Sequence, residues 1–191
     1  SMGAEIQGVD LANLDDATFD ELHAAWLRHH VVVLRDQKIT PEQQIAFAHR
    51  FGDIHHHPYM NGMPDYPDIF EIVKEPGDNY TFGSSWHTDQ MFNPEPAKAT
   101  MLYAHEVPSA GGDTMFANMH LAYDALSDGM KDMLADVKTW CVGDRFKKGG
   151  GGKRADRYKG NTVMADKVRD PGNLITECAH PLFRTHPETG R

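Results

Sequence analysis

The chain has 191 residues, 40% of them hydrophobic and 25% charged, which suits one domain with a real core or most of a larger one. Its 28 acidic and 19 basic side chains leave a formal net charge of -9, which argues against a general nucleic-acid binder with a basic face. An anionic small molecule is not excluded, because a few local cations override a weak global field.

Taken in chain order, residues 5–12 alternate polar and apolar and predict a short strand. Asp15 or Asp16 stands ready to cap a helix whose apolar stripe is Phe19, Leu22, Ala25 and Trp26. Val31 to Leu34 is a β-branched run, read as a buried strand. Thr40-Pro41-Glu42-Gln43 is a capping box with proline at the first helical position, and the helix it opens should stop near Gly52. Residues 55–67 hold His, Pro, Gly and Asn and read as a loop. Strand signals return at 69–73, 86–92, 100–103 and 114–116, the last after turn chemistry at Pro108 to Gly112. Asn118 and Ser127 should each cap a short helix, the first carrying Leu121, Tyr123 and Leu126, the second Met130, Met133 and Leu134. A strand is expected over 137–142 and another over 178–185, ahead of a turn at Pro187 to Gly190. Between them, 143–173 is glycine-rich and locally basic, with Arg145, Lys147, Lys148, Lys153, Arg154, Arg157 and Lys159; a loop that long predicts a mobile active-site lid.

No apolar run reaches about 18 residues, so no membrane span is expected. Ser1-Met2-Gly3-Ala4 shows neither a basic nor an apolar leader segment, so no secretory signal is expected. Cys141 and Cys178 are too few for a disulfide framework, and unpaired thiols in a reducing cytoplasm are the simplest reading.

The residues that carry chemistry are Trp86-His87-Thr88-Asp89. On a strand, positions two apart face the same way, so this H-x-D aims an imidazole and a carboxylate into one pocket. That is two-thirds of a 2-His-1-carboxylate iron(II) site, whose other positions stay open for co-substrate and dioxygen. A bare H-x-D is often no more than a histidine near a surface acid. Its neighbours sharpen it: Trp86 offers an apolar wall against water, Phe92 lies just beyond, and Gly111-Gly112 allows a close approach before Asp113-Thr114. Twelve histidines justify a search for zinc spacing, but no H-E-x-x-H is present, so a zinc hydrolase is disfavoured. Gly149 to Lys153 only superficially resembles a phosphate loop, since Arg154 stands where Ser or Thr is needed.

Five separated blocks agree in order and spacing with one family: Val31 to Gln37 with Phe51-Gly52, Trp86 to Asp89, Val107 to Thr114, Ala122 to Leu126 and His180 to Arg191. They resemble the taurine dioxygenase and 2,4-dichlorophenoxyacetate dioxygenase family of iron(II)/2-oxoglutarate oxygenases. The resemblance implies a mainly β fold with flanking helices, built on a double-stranded β-helix (a jelly-roll, cupin-like core) that is incomplete at the C-terminus, with residues 1–191 forming one domain. It implies His87 and Asp89 as ligands of Fe(2+) and catalytic residues, and Thr114 as the hydrogen-bond donor to the C5 carboxylate of 2-oxoglutarate; ordinary strand propensity is the other account of Thr114. His57 falls at a substrate-binding position, although a run of three histidines also suits a solvated loop or a surface metal patch. Gln90 falls at another substrate-contacting position, or simply faces away. Gly83 stands where taurine enzymes carry asparagine and Met60 where they carry tyrosine, which makes taurine itself a poor candidate.

The second histidine ligand and the arginine that pairs with 2-oxoglutarate fall beyond Arg191 in the family pattern, while His180 and His186 belong to its H-P-x-x-R-T-H-P turn. The expected function is hydroxylation of a small, anionic organic molecule (a sulfonate, sulfate ester or aryloxyacetate), consuming 2-oxoglutarate and O2 and releasing succinate and CO2. The alternative is a non-catalytic binding or scaffold protein of the same fold. Neither nucleic acid nor membrane is expected as a partner; a homo-oligomer is compatible with the sequence.

Overall fold

Most helix starts sit where the capping residues place them. In the computed structural model, which describes residues 2–143 and 154–191, Asp15 accepts from the Thr18 N–H at 2.7 Å and opens α1, Asp16–His29. The predicted capping box is reciprocal: the Thr40 N–H donates to the Gln43 side chain at 2.8 Å, the Gln43 N–H to the Thr40 hydroxyl at 3.3 Å, and α2 runs Pro41–His49. Asn118 and Ser127 cap α3 (Met119–Asp124) and α4 (Asp128–Leu134) in the same way, at 3.0 and 3.2 Å.

The residues group into two compact units where the sequence reads as one domain. The first draws on Ser1–Gln44, Met101–Val137 and Pro181–Arg191, the second on Ile45–Thr100 and Lys138–His180. In the first, β1 (Ala4–Ile6) pairs in parallel with β2 (Val32–Leu34), Ala4 opposite Val32 and Ile6 opposite Leu34. A parallel pair needs a crossover, and α1 supplies it, burying Phe19 and Leu22 on its inner stripe. His30 ends α1 at φ 65°, a left-handed conformation, with its N–H on the Trp26 carbonyl at 2.7 Å.

In the second unit the core is Met60, Tyr158, Met164 and Val168, with Phe70, Tyr80 and Phe82 packed against it. Three of its four central residues come from the span where the sequence predicts a mobile lid. Within 143–173, residues 144–153 lie outside the described residues, together with the phosphate-loop look-alike at Gly149 to Lys153. The part from Arg154 is ordered: a 3-10 turn over Arg154–Tyr158 and a short α5 over Met164–Lys167 form a packed wall. Burial is why this part does not form the expected mobile lid, since Tyr158, Met164 and Val168 are 4%, 1% and 7% exposed. Asn161 adds polar closure, its side-chain amide donating to the Tyr80 carbonyl at 2.6 Å and accepting the Tyr80 N–H at 3.1 Å.

Asp78 ties the same wall down. Its carboxylate accepts from the Thr162 N–H at 2.7 Å, the Glu75 N–H at 3.0 Å and the Thr162 hydroxyl at 3.2 Å. The Thr162 main-chain bond, then the Glu75 one, hold this carboxyl below its ordinary value of 3.8. A carboxyl lowered on folding contributes stability that is present above its unfolded pKa and is lost as pH falls through the native one. Thermal melts should therefore show the protein losing stability below about pH 4. Asp78→Asn should be less stable at neutral pH and should lose stability less steeply on acidification.

The strand expectations need correcting. The described residues contain four strands in two two-stranded sheets, β1–β2 and β3 (Lys138–Val142) with β4 (Glu177–Pro181). Residues 69–73, 86–92, 100–103 and 114–116 are irregular or turn. A strand exists only where a neighbour takes its backbone groups. Here local partners take some of them: the Ile69 N–H goes to the Tyr66 carbonyl at 3.0 Å and its carbonyl receives the Met63 N–H at 2.7 Å. A mainly β, jelly-roll closure is therefore not seen among the described residues. No helix among them is long and apolar enough to cross a membrane.

Candidate metal centre

His87 and Asp89 do converge, although not by strand alternation. The chain is irregular through His87 and Thr88 and turns from Asp89 to Phe92, with Gln90 at φ 51° reversing its direction. His87 Nε2 lies 3.0 Å from Asp89 Oδ1. The back of each group is held. His87 Nδ1 is 2.7 Å from the Ser85 carbonyl oxygen, which can only accept, so Nδ1 carries a proton and Nε2 is the ring atom turned to Asp89. The Thr100 hydroxyl donates to the other Asp89 oxygen, Oδ2, at 2.8 Å. Two lone-pair atoms at 3.0 Å repel unless something positive lies between them, a proton or a metal ion. The spacing suits a metal: a cis edge of an octahedron with bonds of about 2.1 Å is about 3.0 Å long.

Metal-ligating histidines usually donate their other N–H to a carbonyl or carboxylate, and ligating carboxylates are themselves hydrogen-bonded. Ser85 and Thr100 fill those two roles, and the sequence reading missed both. Main-chain carbonyls leave no sequence signal, and Thr100 stands eleven residues from Asp89 with no motif linking them. Thr100→Val should lower divalent-metal affinity by about 10- to 100-fold, read by isothermal titration. Among the described residues no third His, Cys, Asp or Glu joins the pair.

The expected apolar shield is absent from these residues. The His87 and Asp89 side chains are 49% and 50% exposed, and Trp86, read as a wall against water, is 68% exposed. Phe92 is buried instead, stacked edge-on against Tyr59 and His57, because the turn at Asp89 sends it into the unit while Trp86 stays outside. Gln90 is committed to its own turn, its side-chain oxygen accepting from Asn93 at 3.0 Å.

His57 is half-buried among Tyr59, Phe70 and Phe92. Its Nδ1 accepts the Tyr59 N–H at 3.2 Å, which puts the ring proton on Nε2. With His56, Asp68, Phe70 and Arg169 it lines a cavity of about 240 Å³. His56 Nε2 lies 3.3 Å from Asp68, and Arg169 donates to the Pro58 and His57 carbonyls at 3.1 and 3.4 Å. Thr114 belongs to the other unit, exposed on irregular chain after Gly111 and Gly112, whose φ values of 82° and 75° favour glycine. His180 is 4% exposed and held by the Asn93 carbonyl at 2.9 Å; His186 Nδ1 accepts the Glu188 and Thr189 N–H groups at 3.3 Å, closing its turn.

The chain was compared with known proteins. It is 37% identical over 207 residues to the (S)-phenoxypropionate/alpha-ketoglutarate-dioxygenase of Sphingobium herbicidovorans, covering 100% of this chain and 66% of that protein. It is 31% identical over 201 residues to the alpha-ketoglutarate-dependent sulfate ester dioxygenase of Pseudomonas putida, covering 99% and 61%. The crystal structure of a taurine dioxygenase from Burkholderia xenovorans superposes with a TM-score of 0.74 at 28% identity, over 99% of this chain and 57% of that one. That of AAD-2 in complex with Mn(II) and N-oxalylglycine superposes with a TM-score of 0.67 at 29% identity, over 100% and 64%. The chain thus spans less than two thirds of the length of these relatives. Residues 1–191 match throughout the family described as taurine catabolism dioxygenase TauD, TfdA. The protein belongs to that family.

Proposed function

We propose that this protein is an iron(II)- and 2-oxoglutarate-dependent dioxygenase that hydroxylates a small anionic organic substrate of the sulfonate, sulfate ester or aryloxyacetate class. The observation that carries the reading is the His87–Asp89 pair at 3.0 Å with both of its outer atoms anchored. The names of the relatives, alpha-ketoglutarate dioxygenases of phenoxypropionate and of sulfate esters, support it. So does the Mn(II) and N-oxalylglycine in AAD-2, since N-oxalylglycine keeps the two carboxylates and keto oxygen of 2-oxoglutarate with NH in place of one methylene.

Fe(2+) held by the pair would supply open positions where 2-oxoglutarate and O2 react, one oxygen atom leaving in succinate and the other entering the substrate C–H bond. The chain's own groups do the positioning. Ser85 keeps the proton on Nδ1, so that His87 Nε2 stays a donor to the metal. Thr100 fixes which Asp89 oxygen faces forward. Thr114 would donate a hydrogen bond from its hydroxyl to the C5 carboxylate of 2-oxoglutarate. His57, with its proton on Nε2, would donate to the anionic head of the substrate, in a cavity where Arg169 adds positive charge. Gln90 would line the approach through its turn. The core closing around this site would be the family's double-stranded β-helix. The unpaired thiols of Cys141 and Cys178 fit a cytoplasmic enzyme, and the exposed Val107, Met115 and Leu121 fit self-association.

One rival reading is a binding protein of this fold that holds metal without turnover. Succinate formation from 2-oxoglutarate, with iron(II), ascorbate and a panel of sulfonates, alkyl sulfates and aryloxyalkanoates, separates the two. Succinate that depends on one substrate supports the dioxygenase. Metal binding without succinate supports the rival, and neither activity overturns both.

A further inference from the structure

β3 and β4 are neighbours in one sheet, and two main-chain bonds fix their register from its two ends. The Gly143 N–H donates to the Thr176 carbonyl at 2.8 Å, and the Leu182 N–H donates to the Val137 carbonyl at 2.8 Å. The strands therefore run antiparallel. Stepping two residues inward from Gly143 and Thr176, or four from Val137 and Leu182, reaches the same opposed pair, Cys141 and Cys178. Burial follows this register: Lys138, Trp140, Ala179 and Pro181 are exposed, while Cys141 and Cys178 are half-buried and His180 is 4% exposed. Trp140 reaches Glu177 across the outer face at 3.1 Å. The two thiols share the inner face, beside Thr176, which bonds the Tyr59 hydroxyl at 2.7 Å, and His180, which bonds Asn93 at 2.9 Å.

We propose that Cys141 and Cys178 are a paired oxidation site, free thiols at rest that close into a cross-strand disulfide when a peroxide reaches them. Directly opposed residues of this hydrogen-bonded type stand about 5.5 Å apart at Cα, within the roughly 4.4–6.8 Å that a disulfide spans. One thiolate attacks a peroxide oxygen, the O–O bond breaks, hydroxide leaves, and a sulfenic acid forms. The facing thiol then attacks that sulfur, the S–O bond breaks and the S–S bond forms, with water as the leaving group. Two thiols lose two protons and two electrons in all, and one hydrogen peroxide becomes two waters. A dithiol reverses the step by exchange. The link staples the ribbon whose inner face holds Tyr59 and Asn93, so it stiffens the support under the turn that starts at Asp89. The site rests on strand register alone and not on the iron reading.

The test treats the purified chain with stoichiometric hydrogen peroxide and reads it under denaturing, non-reducing conditions. The expected result is a fall in titratable thiols from two per chain to none, with the band still monomeric. The mass should drop by about 2 Da, as removal of two hydrogens requires. Tryptic peptides 139–145 and 170–184 should be joined, and dithiothreitol should separate them. Cys141→Ser and Cys178→Ser should each prevent the joined peptide and over-oxidise or dimerise instead. His87→Ala should lose metal and keep the link, which keeps this result distinct from that of the iron site. Thiols that stay reduced, sulfinic acids at both cysteines, or a joined peptide found only in dimer bands would each overturn the proposal.

Discussion

His87→Ala and Asp89→Ala should each lower iron affinity by more than about 100-fold, because losing a ligand costs more than the roughly 10- to 100-fold typical of losing a group that only orients one. Succinate production should fall to background with either variant. The fold should not suffer, since both side chains are half exposed and substitutions at such positions usually stay within about 0.5 kcal/mol. The diagnostic result is a melting temperature that holds while iron binding, titrated in the absence of oxygen, disappears. Wild-type iron affinity in both variants would remove the pair from the metal site. Asp89→Asn probes the charge separately: it keeps an oxygen that Thr100 can reach but loses the carboxylate, and iron affinity should still fall.

The largest stability loss should come from Met164→Ala. Met164 is 1% exposed, packs with Met60, Tyr158 and Val168, and its sulfur accepts the Val73 N–H at 3.4 Å. Truncating a fully buried methionine costs about 2–5 kcal/mol through lost transfer energy and the cavity left behind. Each kcal/mol lowers the melting temperature of a chain this size by about 2–4 °C. Met133→Ala, at a residue 64% exposed, is the control and should change little. Equal melting temperatures for the two variants would mean that the wall formed by the 3-10 turn and α5 does not carry the stability of its unit.

What could be read in advance divides by sequence distance. The caps at Asp15, Thr40, Asn118 and Ser127 were legible because each satisfies an N–H three residues away, and no tertiary contact has to agree. The pair at 87 and 89 was legible too, but for an incomplete reason: the two groups meet on irregular chain, held by Ser85 and Thr100, and not on a ladder. The packed stretch after Arg154 was not legible. Its glycines and basic residues dominate the local composition, while the contacts that order it reach back to Tyr80 and Asp78, more than 75 residues earlier. Thr100 escaped notice because a threonine opening an apolar run looks like strand propensity. The jelly-roll expectation came from family resemblance, and the strand signals at 69–73 and 100–103 did not become paired strands among the described residues.

The irregular backbone that carries His87 and Asp89 has a consequence for how such a pair diversifies. Because no paired strand runs through residues 86–89, the imidazole and carboxylate stand together through their own short stretch of chain, the Ser85 carbonyl and one hydroxyl, without a flanking ladder to set the distance between them. A pair set by its own short stretch of chain tolerates change around it. Walls, entrance and specificity groups can be exchanged from remote stretches of chain while the two groups keep their 3.0 Å span. That independence suits a family whose relatives include dioxygenases named for phenoxypropionate and for sulfate esters.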